Sequence, residues 1–209
     1  MCINDVIYSL VLGDGFVSKQ DQLSLYHCEK QLDFLNWKIS LFQPYYNRDL
    51  KPTRCERLLN NKVFIEYRWY LALKKKFNLK GIRKEIYGDS SKKDYFKILN
   101  KVDDKNFLLT VWLGDDGSCS TKYQLCLCTL DRTEAENEKL CEWFSEHFNV
   151  KPYVVKQTSK KQNTEWYFIR FTKNDSMKIW SIARETLLKI PSMQYKFRHI
   201  ENTYNKNRI

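Results

Sequence analysis

The segment IYSLVLGDG at residues 7 to 15 returns as LTVWLGDDG at residues 109 to 117, 102 positions later. The same offset sets QLSL at 22 to 25 over QLCL at 124 to 127. Further along, Lys51-Pro52 precedes Lys151-Pro152 by 100 positions, and Lys93 precedes Lys196 by 103. A chain that repeats itself at a nearly constant spacing is constrained to fold as two copies of one unit. The polar stretch NKVDDKN at 100 to 106 is the natural linker, which divides the chain into an N-terminal half at 1–99 and a C-terminal half at 107–209.

Within the second half, the apolar run predicts a helix from 107 to about 115, followed by a strand or a strand pair within 118 to 129. Thr133 stands three residues before Glu136, a capping box that opens an amphipathic helix carrying Leu140, Trp143, Phe144 and Phe148 and ending near Asn149. PYVVKQ (152–157) and EWYFIRFT (165–172) read as strands joined by the polar tip TSKKQN, and a last helix runs from about 175 to 189 before Pro191. The first half repeats this less cleanly, with QLSLYHC, a helix near 31 to 42, VFIEYRWY and a short Lys-rich helix. Two such units imply an α/β (α+β) molecule with pseudo-two-fold symmetry.

The 36 Lys and Arg against 25 Asp and Glu give a net charge of +11, spread along the chain, and such a field favours a polyanion. No stretch of about 18 uncharged apolar residues is present. The start MCINDVIYSL has no basic segment and carries Asp5, so neither a membrane span nor a secretory signal is expected. The expected compartment is intracellular. Abundant Lys, Asn, Tyr and Ile hint at an A·T-rich genome, and so at a mitochondrial matrix or a bacterial or phage-infected cytoplasm. The seven cysteines are odd in number and form no Cys-x-x-Cys pair, which predicts reduced, mostly buried small hydrophobes.

Both nonapeptides, Ile7 to Gly15 and Leu109 to Gly117, resemble the signature of the LAGLIDADG homing endonucleases, and the single-chain, two-motif type is the nearest match. The resemblance extends to IPSMQYK at 190 to 196, similar to the family's I-P-x-x-x-Y-K pattern. The sixth motif position, often Asp in the family, is Leu12 in one copy and Gly114 in the other, while the penultimate acid is kept as Asp14 and Asp116. The resemblance implies a pair of αββαββα units whose antiparallel sheets form a DNA-binding saddle, with the two motif helices at the central interface. It implies a monomeric, Mg²⁺-dependent enzyme that cuts both strands of double-stranded DNA across the minor groove and leaves short 3′ overhangs. Mn²⁺ is expected to substitute, and Ca²⁺ to support binding without cleavage. An intron RNA maturase or a non-cleaving DNA-binding protein on the same scaffold is the alternative.

The chemistry suits the residues. A helix ends with unsatisfied carbonyls and partial negative charge, and a carboxylate there completes a hard-oxygen site of the kind Mg²⁺ prefers. The expected metal ligands are Asp14 and Asp116, with the backbone carbonyls of Gly13 and Asp115. Gly15 and Gly117 are expected to let the chain leave the helix sharply, with no Cβ in the way of the phosphate backbone. The resemblance gives each half a basic residue that stabilises the reacting phosphate, here Lys93 (with Lys92 adjacent) and Lys196. If Leu23, Leu25, Leu125 and Leu127 face the core, the other sheet faces offer Ser18, Gln22, Ser24 and Tyr26 in one half and Ser118, Lys122 and Gln124 in the other as DNA contacts. Arg68, Lys156, Lys160, Lys161 and Arg170 are expected as phosphate or rim contacts.

Overall fold

The computed structural model describes residues 2–46, 49–59, 62–71, 77–90, 92–120, 123–159 and 164–206. The order in the first half is α1 (Ile3–Leu12), β1 (Phe16–Val17), β2 (Leu23–Cys28), α2 (Leu32–Ser40), β3 (Thr53–Leu59), β4 (Lys62–Leu71), α3 (Leu79–Tyr87) and α4 (Tyr95–Lys101). The second half follows with α5 (Lys105–Asp116), β5 (Gly117–Cys119), β6 (Leu125–Leu127), α6 (Glu134–Phe148), β7 (Tyr153–Ser159), β8 (Thr164–Arg170), α7 (Lys173–Leu187) and α8 (Pro191–Lys206). Each half is thus αββαββα with one further helix. The two sheets are four-stranded and antiparallel throughout, in the matching orders β1-β2-β4-β3 and β5-β6-β8-β7.

The repeat persists in turn geometry. Asp21 and Tyr123, 102 apart, both have positive φ, at 57° and 61°. Each donates its N–H to the carbonyl three residues back, Ser18 or Ser120, and that serine's N–H donates to the carbonyl of Gln22 or Gln124 at 2.9 Å. The first turn separates β1 from β2, and the second separates β5 from β6.

The capping box at Thr133 and Glu136 opens α6, and Asn149 closes it in the left-handed conformation that a short polar side chain tolerates. The helix from 175 is not the last, as the sequence reading expected, because α8 follows it. Pro191, read as a terminator, is the first residue of α8, where its missing N–H costs nothing. Thr172 caps α7, so that helix also starts two residues before the expected point.

The chain forms two compact units, Met1–Trp112 with Ile190–Met193, and Leu113–Lys189 with Gln194–Ile209. In the first, Leu23, Leu25, Trp69 and Leu71 on one face of the sheet are buried, as are Ile7, Leu10, Phe34, Leu35 and Ile82 of the helices. Ser192 joins this unit through its N–H, which donates to the Asp33 carboxylate at 2.7 Å. In the second, Leu125, Leu127 and Ile169 are buried with Leu140, Phe144, Trp180 and Phe197, and the last two rings stack at 4.8 Å. The segment 100 to 106 is not loose. Buried Asp5 of α1 accepts the N–H groups of Asp103 and Asp104, and Lys105 donates to the Leu99 and Val102 carbonyls.

All seven cysteines are free, and the expectation that most are buried is overturned. Cys2, Cys28 and Cys128 are exposed and the other four half-buried. The reason is register: Cys28, Cys55 and Cys126 fall on the sheet faces that the apolar residues do not use. Burial pushes the thiols of Cys119 and Cys141 up to about 11, so they stay protonated near neutrality. Among the described residues no helix is long and apolar enough to cross a membrane.

Candidate functional site

In the first unit, α1 ends at Leu12 and Asp14 stands two residues beyond, its side chain 47% exposed. Lys93 donates its ammonium to the Gly13 carbonyl at 2.5 Å. In the second unit, Asp116 is the last residue of α5, and Lys196 donates to the Gly114 and Asp115 carbonyls at 2.6 and 2.9 Å. Gly13 and Asp115 are equivalent by the 102 offset, so both lysines sit on the same carbonyl of their own motif helix. Each cation thereby neutralises a helix C-terminus beside an acid. Of the adjacent pair Lys92 and Lys93, it is Lys93 that makes this contact.

The acids have different neighbours. Asp14 has the Nδ1 of His27 at 4.0 Å, and His27 is buried. The Asp116 carbonyl accepts the Cys128 N–H at 2.9 Å, and desolvation and then the Asp116 charge push the Cys128 thiol up.

The glycines after the acids let the chain leave the helix sharply, as expected, and the atom a Cβ would meet is a helix carbonyl. Neither Gly15 nor Gly117 has positive φ, and a Cβ on either would collide with a backbone carbonyl of the preceding helix, Leu10 or Leu113. The chain doubles back so closely that only glycine fits; Gly15 N–H donates to Leu10 O at 2.8 Å.

The sheet faces away from the buried leucines carry Ser24, Tyr26, Arg68, Ser118 and Arg170 of the expected contact residues. In the first unit Phe16, Ser24 and Tyr70 are cross-strand neighbours, as are Tyr26, Arg68 and Thr53. Ser24 is only 2% exposed, against the expectation that it is presented, because its flanking partners Phe16 and Tyr70 are large aromatics. Arg68 is engaged by Glu66 through two hydrogen bonds and lies 5.3 Å from the Tyr26 ring. Glu66, and then Tyr70, raise the Arg68 guanidinium further above its ordinary range. Gln22 and Ser18 belong to the β1–β2 turn.

In the second unit one row carries Ser118, Cys126, Arg170 and Tyr153. The Arg170 Nε donates to the Cys126 sulfur at 3.4 Å, and Gln124 bonds Tyr153 Oη at 3.4 Å. A concavity of about 450 Å³ opens here, lined in part by Trp166, Phe168 and Gln157. Those three, with Phe16 and Tyr70, were missed from sequence. The alternation of 166, 168 and 170 within EWYFIRFT was the available signal. Lys156 lies on the other face, in the alternation that includes Ile169's partner Val154, and pairs with Glu165 at 2.8 Å. Lys122, Lys160 and Lys161 lie outside the described residues.

A family model described as the LAGLIDADG DNA endonuclease family matches residues 4–179. The chain belongs to that family. Among solved structures it is similar to the homing endonuclease I-WcaI bound to its DNA recognition sequence, at 20% identity and TM-score 0.72, covering 93% of this chain and 84% of that one. It is also similar to a variant of I-DmoI in complex with its target DNA in the presence of Mg, at 11% identity and TM-score 0.50, covering 88% of this chain and 96% of that one. At these identities the likeness establishes the fold. No curated protein sequence matches the chain.

Proposed function

We propose that the chain is a monomeric, site-specific double-strand DNA endonuclease of the homing type. One aspartate serves each strand, Asp14 in the first half and Asp116 in the second. The observation that carries this reading is the repeated constellation of acid, helix C-terminus and lysine, built twice from one sequence pattern. I-WcaI is described bound to its recognition sequence and I-DmoI with target DNA and Mg, which agrees with duplex DNA as the substrate here.

The donor set fits a hard divalent cation. Asp14 and Asp116 offer carboxylates beside the Gly13 and Asp115 carbonyls, and Mg²⁺ takes such oxygens with waters and phosphate. When bound, the ion supplies Lewis acidity for in-line phosphodiester hydrolysis. The carboxylates hold and orient that charge. Lys93 and Lys196 sit where an ammonium can stabilise charge on the reacting phosphate. The uncovered sheet faces, with Tyr26, Arg68, Ser118, Gln124 and Arg170, read the major groove of a long asymmetric target. Cleavage across the minor groove leaves short 3′ overhangs, Mn²⁺ substitutes for Mg²⁺, and Ca²⁺ permits binding only. The halves 1–99 and 107–209 each engage one half-site, inside whichever compartment holds the target.

The test is Asp14→Asn and Asp116→Asn, made separately and assayed on a target selected from a random DNA library. Each substitution is expected to abolish double-strand cleavage while leaving the dissociation constant within a few-fold. Undiminished cleavage by either variant would overturn the reading.

A further inference from the structure

Lys38 of α2 is fully buried, with 0% of its surface exposed, and its ammonium lies 2.9 Å from the Nε2 of His27 and 4.4 Å from the centre of the Phe34 ring. Burying an ammonium is costly, and the fold does not require it here. The equivalent position in the second half, 102 residues on in α6, is Leu140, also 0% exposed. His27 is likewise matched by Thr129, whose hydroxyl bonds Asn137. One half therefore carries a basic pair where the other carries an aliphatic side chain and a neutral polar pair.

The direction of the contacts follows from donor chemistry. An ammonium has only hydrogens to give, so Nε2 of His27 is the acceptor and Nδ1 carries the ring proton. That N–H faces the Gln31 Oε1 at 3.1 Å and the Asp14 Oδ2 at 4.0 Å. Lys38 thus fixes which imidazole nitrogen is presented to the proposed catalytic carboxylate, as outer partners commonly do for the ligands they support.

We propose that Lys38 and His27 are positioning residues for Asp14, and that they make the strand served by the first half the first to be nicked. The inference rests on the endonuclease reading above. It predicts a nicked intermediate of one polarity, because the second half carries Thr129 and Leu140 at the equivalent positions.

The experiment follows each strand of an end-labelled selected target, with the Asp14→Asn and Asp116→Asn variants used to assign a strand to each half. Wild type is expected to cut the first-half strand faster. Lys38→Leu, which installs the residue of the second half, is expected to slow that strand about tenfold or more. The other strand should change less than twofold, and the thermal midpoint should hold or rise. Among His27 variants, His27→Asn keeps an N–H near the place of Nδ1 and should retain more first-half cleavage than His27→Phe, which guards against misfolding of any one protein. Equal slowing of both strands, or an unchanged nicking order in Lys38→Leu, would overturn the inference while leaving the endonuclease reading intact. Failure of the wild-type chain to cut any library sequence would overturn both.

Discussion

Gly15 and Gly117 illustrate how a residue can be identified from sequence for an incomplete reason. Their pairing at one offset marks them as special, and clearance for a phosphodiester is one physical account of a glycine beside an acid. The structure supplies another: the space a Cβ would need is occupied by the Leu10 or Leu113 carbonyl of the motif helix. No local pattern reveals that approach, because it depends on how sharply the strand turns back along the helix. Gly117→Ala and Gly15→Ala should each cost about 1–3 kcal/mol of stability, the usual range for overpacking. Denaturant unfolding checks this. If the glycines served only to admit DNA, unfolding would be unchanged and binding alone would fall. The acids and Lys93 and Lys196 were legible because each recurs at nearly the same spacing. His27 and Lys38 were not, because the repeat replaces them with Thr129 and Leu140.

At the scale of elements, helices with explicit start signals were readable, as the Thr133 and Glu136 box shows for α6. What a sheet face presents was less so. Alternation assigns Ser24 to the face away from the leucines, and register places both Ser24 and Arg68 there, yet cross-strand neighbours decide what each can do. Phe16 and Tyr70 cover Ser24, while Glu66 engages Arg68 through its carboxylate. In the second unit the Arg170 Nε donates to the Cys126 sulfur, and its guanidinium lies 5.3 Å from the Phe168 ring with Tyr153 beside it. The two arginines therefore start from different partners, one inside an ion pair and one beside a cysteine sulfur. Glu66 holds Arg68 in a half-buried pair through two hydrogen bonds, so releasing it takes removal of the carboxylate charge. Glu66→Gln should free the guanidinium for a phosphate, tighten DNA binding and steepen the slope of log K against log salt by about 1, the value of one added phosphate contact. Anisotropy titrations at several salt concentrations measure it. An unchanged slope would mean that Arg68 stays engaged with Tyr26 and Tyr70.

For the whole molecule, the 102-residue repeat carried the two matching sheets, the family and the paired acids, because duplicated sequence under the same packing constraints folds the same way twice. The joint between the copies was less legible. Residues 100 to 106 are polar and short, the composition of a tether, but α5 already begins at Lys105 and compactness divides the chain only after Trp112. The clamp is Asp5, whose distance of 98 residues from Asp103 hides it from any local reading. It sits in the first turn of α1, where a negative charge is favourable, and its two oxygens accept the N–H groups of Asp103 and Asp104 at 3.3 and 3.4 Å. Asp5→Ala would leave those two N–H groups without their carboxylate, a loss of about 1.5–3 kcal/mol for bonds to a charged group. Thermal unfolding should show that loss, and limited proteolysis should show faster cutting near 100 to 106 in the variant. A segment that acted as a free tether would be cut equally fast in both proteins, with no change in the unfolding midpoint.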